Sequence, residues 1–138
     1  MGLVSSMCAQ AGGFLASTQN EQPDGSPEVK LRELGWVSAQ VLIAPDNLRL
    51  YLAIVAEAER LPELGQVFYE NGAKVVRAFV AKILQKRFDE TTAALRAATF
   101  VQLVLGDAYL ELSIRFTVPD VEARFALQID EAVAAALR

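Results

Sequence analysis

One local pattern restricts this chain to a helical fold more than any other. It is a proline with an acid directly after it, recurring at Pro45-Asp46, Pro62-Glu63 and Pro119-Asp120. Proline has no N–H, so it suits the first helical turn, where that donor would have no partner; the carboxylate then meets the positive end of the helix dipole. Ser26-Pro27-Glu28 adds a capping hydroxyl to the same device. After these starts, apolar residues recur at spacings of three and four, the stripe of an amphipathic helix. Val29, Leu31, Leu34, Val37, Val41 and Leu42 predict a helix that stops near Ala44, ahead of Pro45. Further helices are predicted from Pro45 to Arg60, from Pro62 to Arg87, from Asp89 to Phe116 with a bend at Gly106-Asp107, and from Pro119 onward. Leu3, Val4, Met7, Cys8, Ala11, Phe14 and Leu15 predict a first helix over 1–17, with a polar, turn-rich loop at 18–27. Only Leu112 to Val118 is ambiguous between helix and strand. The expectation is an all-α, antiparallel bundle of about six helices, forming a single domain over residues 1–138.

Composition narrows what such a bundle can do. Hydrophobic residues make up 53% and charged ones 22%, which excludes a disordered chain. There is no histidine, so the commonest general base and the commonest metal ligand are missing. Cys8 is the single cysteine, too few for an intrachain disulfide or a zinc cluster. No catalytic residue, metal site or cofactor is expected. The net charge of −4 is the wrong sign for a domain that grips phosphates by itself. No run of about 18 uncharged apolar residues is present, so no membrane span is expected and the cytoplasm is the expected location. Met1-Gly2-Leu3-Val4-Ser5-Ser6 fits a myristoylation pattern, but the helical stripe accounts for the same residues, with Cys8 as a small core side chain.

Four side-chain groups are candidates for chemistry. Glu57, Glu59 and Glu63, and the pair Asp107 and Glu111, are expected to be surface ion-pair partners, Arg60 serving Glu63 and Arg115 serving Glu111. A di-iron bundle site would need Glu-x-x-His pairs. Lys74, Arg77, Lys82, Lys86 and Arg87 fall opposite or beside the apolar face of Val75, Val76, Phe79, Val80, Ile83 and Leu84, as a solvated face does. Aromatics on successive helices either form core or enclose an apolar cavity, and Gln40, one turn after Trp36, either orients a ligand or bonds a backbone carbonyl. The closing stripe of Val121, Phe125, Ile129, Ala132, Val133 and Ala136 either packs on its own core or pairs across a twofold axis.

Residues 45–72 carry a recognisable order. Glu57-Ala58-Glu59-Arg60 is followed by Pro62-Glu63-Leu64, then Phe68-Tyr69 and Gly72; further on comes Phe100-Val101-Gln102-Leu103-Val104-Leu105-Gly106-Asp107. Over about residues 28–138 the chain resembles the C-terminal domain of bacterial TetR-family transcriptional repressors, in the AefR-like branch. Members carry an N-terminal helix-turn-helix domain, whose signature is not among these 138 residues. Operator DNA is therefore expected as a partner only through a domain outside them. The resemblance implies a homodimer that senses an apolar small molecule inside the bundle. Face and position place Trp36, Gln40, Leu52, Phe68, Phe79, Phe100 and Leu103 in the pocket, and the resemblance implies a dimer face on the last two helices that includes Tyr109, Leu112, Phe125, Ile129 and Val133. The alternative is a stand-alone helical interaction or ligand-carrying protein.

Overall fold

A computed structural model describes residues 25–114 and 117–138. The helix expected at 1–17, with Cys8 and the acylation pattern, lies outside the described residues, as does Arg115. Six helices and no strand occur among the described residues. They are α1 (Pro27–Ile43), α2 (Pro45–Glu57), α3 (Pro62–Asn71), α4 (Ala73–Leu84), α5 (Glu90–Ser113) and α6 (Val121–Leu137).

The caps follow from the local sequence. The Ser26 hydroxyl accepts from the Val29 N–H at 3.3 Å, and Asp89 Oδ1 accepts from the Thr92 N–H at 2.7 Å. Pro27, Pro45 and Pro62 each occupy a first turn. Between α1 and α2 the chain bends by 72°. There the Asn47 amide donates to the Val41 carbonyl at 2.7 Å, giving one terminal acceptor of α1 a partner.

Two boundaries depart from the sequence reading, and one expected bend is sharper than a bend. The single helix expected over 62–87 is two helices, broken at Gly72 (φ −118°, ψ −92°). Asn71 starts the break by donating its side-chain amide to the Val67 carbonyl at 2.9 Å, an alternative to continued helix, and glycine then has little helical preference of its own. The last helix begins at Val121, after Pro119 rather than at it; Asp120 sits in the left-handed region (φ 49°, ψ 47°) and makes no side-chain cap. The expected bend at Gly106 is a true interruption, with φ 53° and ψ −162°, a conformation open essentially to glycine alone.

One core joins α1, α4, α5 and α6. Leu31, Leu34, Val80, Leu84, Phe100, Val104, Phe125 and Ile129 lie fully or almost fully inside it. Helices α2 and α3 contribute little. Ile54 is the only buried residue of α2, α3 has none, and a small separate cluster joins Ile54 to Leu50, Val67 and Phe68.

At Gly35, α1 touches both α5 and α6. A Cβ there would stand 3.0 Å from Ile129 Cγ2, 3.3 Å from Ile129 Cγ1 and 3.6 Å from Val104 Cγ2. Alanine gains about 1 kcal/mol of helix propensity over glycine, whereas overpacking a filled site costs about 1–3 kcal/mol. Gly35→Val adds two more carbons against the same neighbours, so packing wins. We expect Gly35→Val to lose at least about 2 kcal/mol in urea unfolding. An unchanged midpoint for Gly35→Val would refute the tight crossing.

Candidate ligand cavity

An apolar cavity of about 200 Å³ opens between the main core and the α2–α3 pair. Its walls come from Val37, Ser38, Val41 and Leu42 of α1, Tyr51 of α2 and Phe68 of α3. Gly72, with Ala73 and Val76 of α4, adds another side, and α5 supplies Phe100, Val101, Gln102, Val104, Leu105 and Tyr109. The α1 residues reach it because the helix turns 100° per residue: Ser38 and Leu42 fall on the inward side shared with Leu31 and Leu34. On α5 the cavity spans the interruption at Gly106, with Leu105 just before it and Tyr109 just after.

Three of the wall aromatics form a chain of ring contacts. Tyr51 lies 5.9 Å from Phe68 and 5.6 Å from Tyr109, centroid to centroid, both pairs tilted. Tyr109 is the one titratable wall group with a resolved perturbation. Burial, with a smaller contribution from Tyr51, pushes its phenol well above the ordinary value. It therefore stays protonated and neutral around pH 7. No Asp, Glu, Lys or Arg lines the cavity.

Of the residues expected in the pocket, the structure brings together Phe68 and Phe100. Trp36, Phe79 and Leu103 pack against the main core instead, Leu52 is half-buried on α2, and Gln40 is exposed. Gln40 does share a face with Trp36, but that face is two residues, or about 200°, from both Ser38 and Leu42 and so points away from the cavity. Sequence reasoning missed Tyr51, Val76, Leu105 and the α1 quartet. The signal available for the quartet was its shared helical face with Leu31 and Leu34.

The expected interface residues are also placed differently. Phe125, Ile129 and Val133 are 1%, 0% and 3% exposed inside the chain's own core, so no partner can reach them. Leu112 packs against that core and Tyr109 lines the cavity. The closing stripe is used by its own bundle, because α6 is the helix that covers α1 and α5. What α5 and α6 leave outward is Leu95, Leu110 and Leu127, at 68%, 59% and 73% exposure.

The charged groups that the sequence brings forward lie at the surface. Lys74 pairs with Glu70 at 3.0 Å, Arg77 donates to the Tyr69 hydroxyl and lies over its ring, and Lys82, Lys86 and Arg87 are exposed. Arg60 pairs with Glu57 rather than Glu63, since both lie at the end of the same turn. Glu111 pairs with Arg124 of α6 at 2.6 Å; its expected partner Arg115 lies outside the described residues. Among the described residues no group of three metal-ligating side chains occurs. Nor is any single described helix long and apolar enough to cross a membrane.

The fold is thus an all-α bundle with an apolar cavity beside its core. The chain belongs to the family of AefR-like transcriptional repressors, C-terminal domain, which matches residues 29–138. No curated protein matches it. A 1.54 Å crystal structure of a protein described as a TetR-family transcriptional regulator of Mesorhizobium loti MAFF303099 shares its fold. The TM-score is 0.82 and the identity 24%, over 99% of this chain and 70% of that one.

The Tyr109 phenol carries a pH signature. Its folded value is raised, so the stability it contributes is complete below the ordinary tyrosine value near 10 and is lost as pH rises above it. We expect the wild-type thermal midpoint to fall between about pH 10 and pH 12, and Tyr109→Phe to fall less over the same range. Parallel curves for the two proteins would show that the phenol is not held in a desolvated site.

Proposed function

We propose that this chain is the effector-sensing and dimerisation region of a TetR-like transcriptional regulator. An apolar small molecule occupies the cavity of α1 to α5, and the occupied and empty forms differ in their support of operator binding by a helix-turn-helix domain outside these residues. Family membership supports the regulator role. The single observation that carries the sensing role is the apolar cavity, walled by five helices and placed beside rather than within the core. A ligand shifts such an equilibrium only by its different affinity for the two states. A cavity whose walls belong to both the packed core and the thinly packed α2–α3 pair meets that condition, because their relative position changes its shape.

The sensing role is tested with p-xylene as probe. At 100 times its dissociation constant it should raise stability by about 2.7 kcal/mol. Val76→Phe, which fills the cavity, should raise the melting temperature of the free protein and abolish that shift. A p-xylene effect that survives Val76→Phe would place binding elsewhere and sink the assignment.

Dimerisation is proposed through the outward faces of α5 and α6, on the exposure of Leu95, Leu110 and Leu127. Light scattering at micromolar concentration should give the mass of two chains. Leu127→Glu should give one chain with unchanged helicity, since that side chain supports nothing within the fold. A monomeric wild type, or a Leu127→Glu protein that remains dimeric, would rule out this face.

A further inference from the structure

The cavity also restricts the chemistry of what fills it, an inference that rests on the sensing reading above. Its wall holds no carboxylate, ammonium or guanidinium group. An ionised ligand taken inside would lose its hydration and meet no countercharge, a loss that buried charges elsewhere avoid only by pairing. Size is the second restriction. An apolar cavity of about 150 Å³ takes benzene, so the about 200 Å³ here leaves room for one ring and a short substituent. Shape is the third. Tyr51, Phe68 and Tyr109, in tilted contact at 5.6–5.9 Å, offer ring faces and edges to a further ring. The polar groups the wall residues carry are neutral: the Ser38, Tyr51 and Tyr109 hydroxyls and the Gln102 amide. They can serve a hydrogen-bonding substituent on the ring, and the size of the cavity leaves room for a short one.

We infer that the effector of this cavity is a small, uncharged aromatic compound, a single ring bearing a short substituent with one hydrogen-bonding group. The cavity selects it over ionised molecules of the same shape.

Calorimetry at pH 7 with a ring-matched series tests this: 4-methylbenzyl alcohol, 4-methylbenzylamine as the cation and 4-methylbenzoate as the anion. The alcohol should bind, each ion at least about tenfold more weakly, and Val76→Phe should remove all binding. Tyr109→Phe tests the wall's polar contribution, and should weaken the alcohol while leaving p-xylene unchanged. If either ion binds within about threefold of the alcohol, and Val76→Phe still abolishes all three, the charge selection is wrong while the ligand cavity stands. If 4-methylcyclohexylmethanol binds as tightly as the aromatic alcohol, the aromatic preference is wrong. If the folded protein binds none of these and p-xylene neither, both this inference and the sensing reading fall.

Discussion

The contact at Gly35 is the constraint on which the rest of the structure depends. One residue without a side chain lets α1 rest directly on Ile129 of α6 and Val104 of α5. Three helices meet there at a distance that a methyl group would crowd. Everything on α1 beyond this point takes its direction from it. Ser38, Val41 and Leu42 follow one and two turns on and become a wall of the cavity. Val104 belongs to both the crossing and the cavity, so the seal of the core and the floor of the cavity are the same side chain. Had α1 been held farther from α6, that floor would open into the core.

The interruption at Gly106 sets the opposite wall. Helix α5 runs straight through the core with Ala93, Ala97, Phe100 and Val104 buried at helical spacing, then breaks at φ 53°. A side chain there would be strained by the backbone conformation and would meet Gln128 at 3.1 Å. The break re-aims the last two turns of α5, and Tyr109 reaches Tyr51 on α2. The second half of α5 is tied back to α6 by Glu111 and Arg124, half-buried at 2.6 Å, where the carboxylate's hydrogen bond pushes the guanidinium's value further up. Thus α5 serves two regions: most of it packs in the core, and after the break Tyr109 reaches the thin α2–α3 pair.

How much of this the sequence disclosed depended on whether a feature is local. The capped starts at Ser26 and Asp89, three of the four proline starts and the glycine at the α5 break are properties of a few adjacent residues and are found where the pattern put them; Pro119 is the exception, since α6 starts two residues after it. The break at Gly72 was missed because the apolar stripe runs across it; only the Asn71 side chain, bonded to Val67, betrays it. Which face of an amphipathic helix meets which neighbour is not local. Trp36 and Gln40 do share a face, but α1 is rotated so that Gln40 meets water. On α6 the stripe of Phe125, Ile129 and Val133 was legible as apolar, yet whether it served this chain or a second one turned on Gly35, 94 residues earlier for Ile129. The cavity residues were least legible, since a void is defined by what fails to meet across it.

The energetic position of that void explains why the fold tolerates it. A closed, dry cavity costs roughly 24 cal/mol per Å³. At about 200 Å³ the penalty would be about 5 kcal/mol, a large share of a total stability of roughly 5–15 kcal/mol. A void that size inside the α1–α4–α5–α6 core would threaten the fold. It lies instead at the edge of that core, with Tyr51 and Phe68 completing it from helices that bury only Ile54 between them. Few buried apolar contacts hold α2 and α3, so local opening there costs far less than global unfolding. The missing contacts thus weaken the attachment of α2 and α3 and leave the core intact. An occupant supplies contacts across this same boundary, where the chain has fewest of its own. Its binding energy then bears on how α2 and α3 sit against α5, and little of it is spent on a core that is already filled.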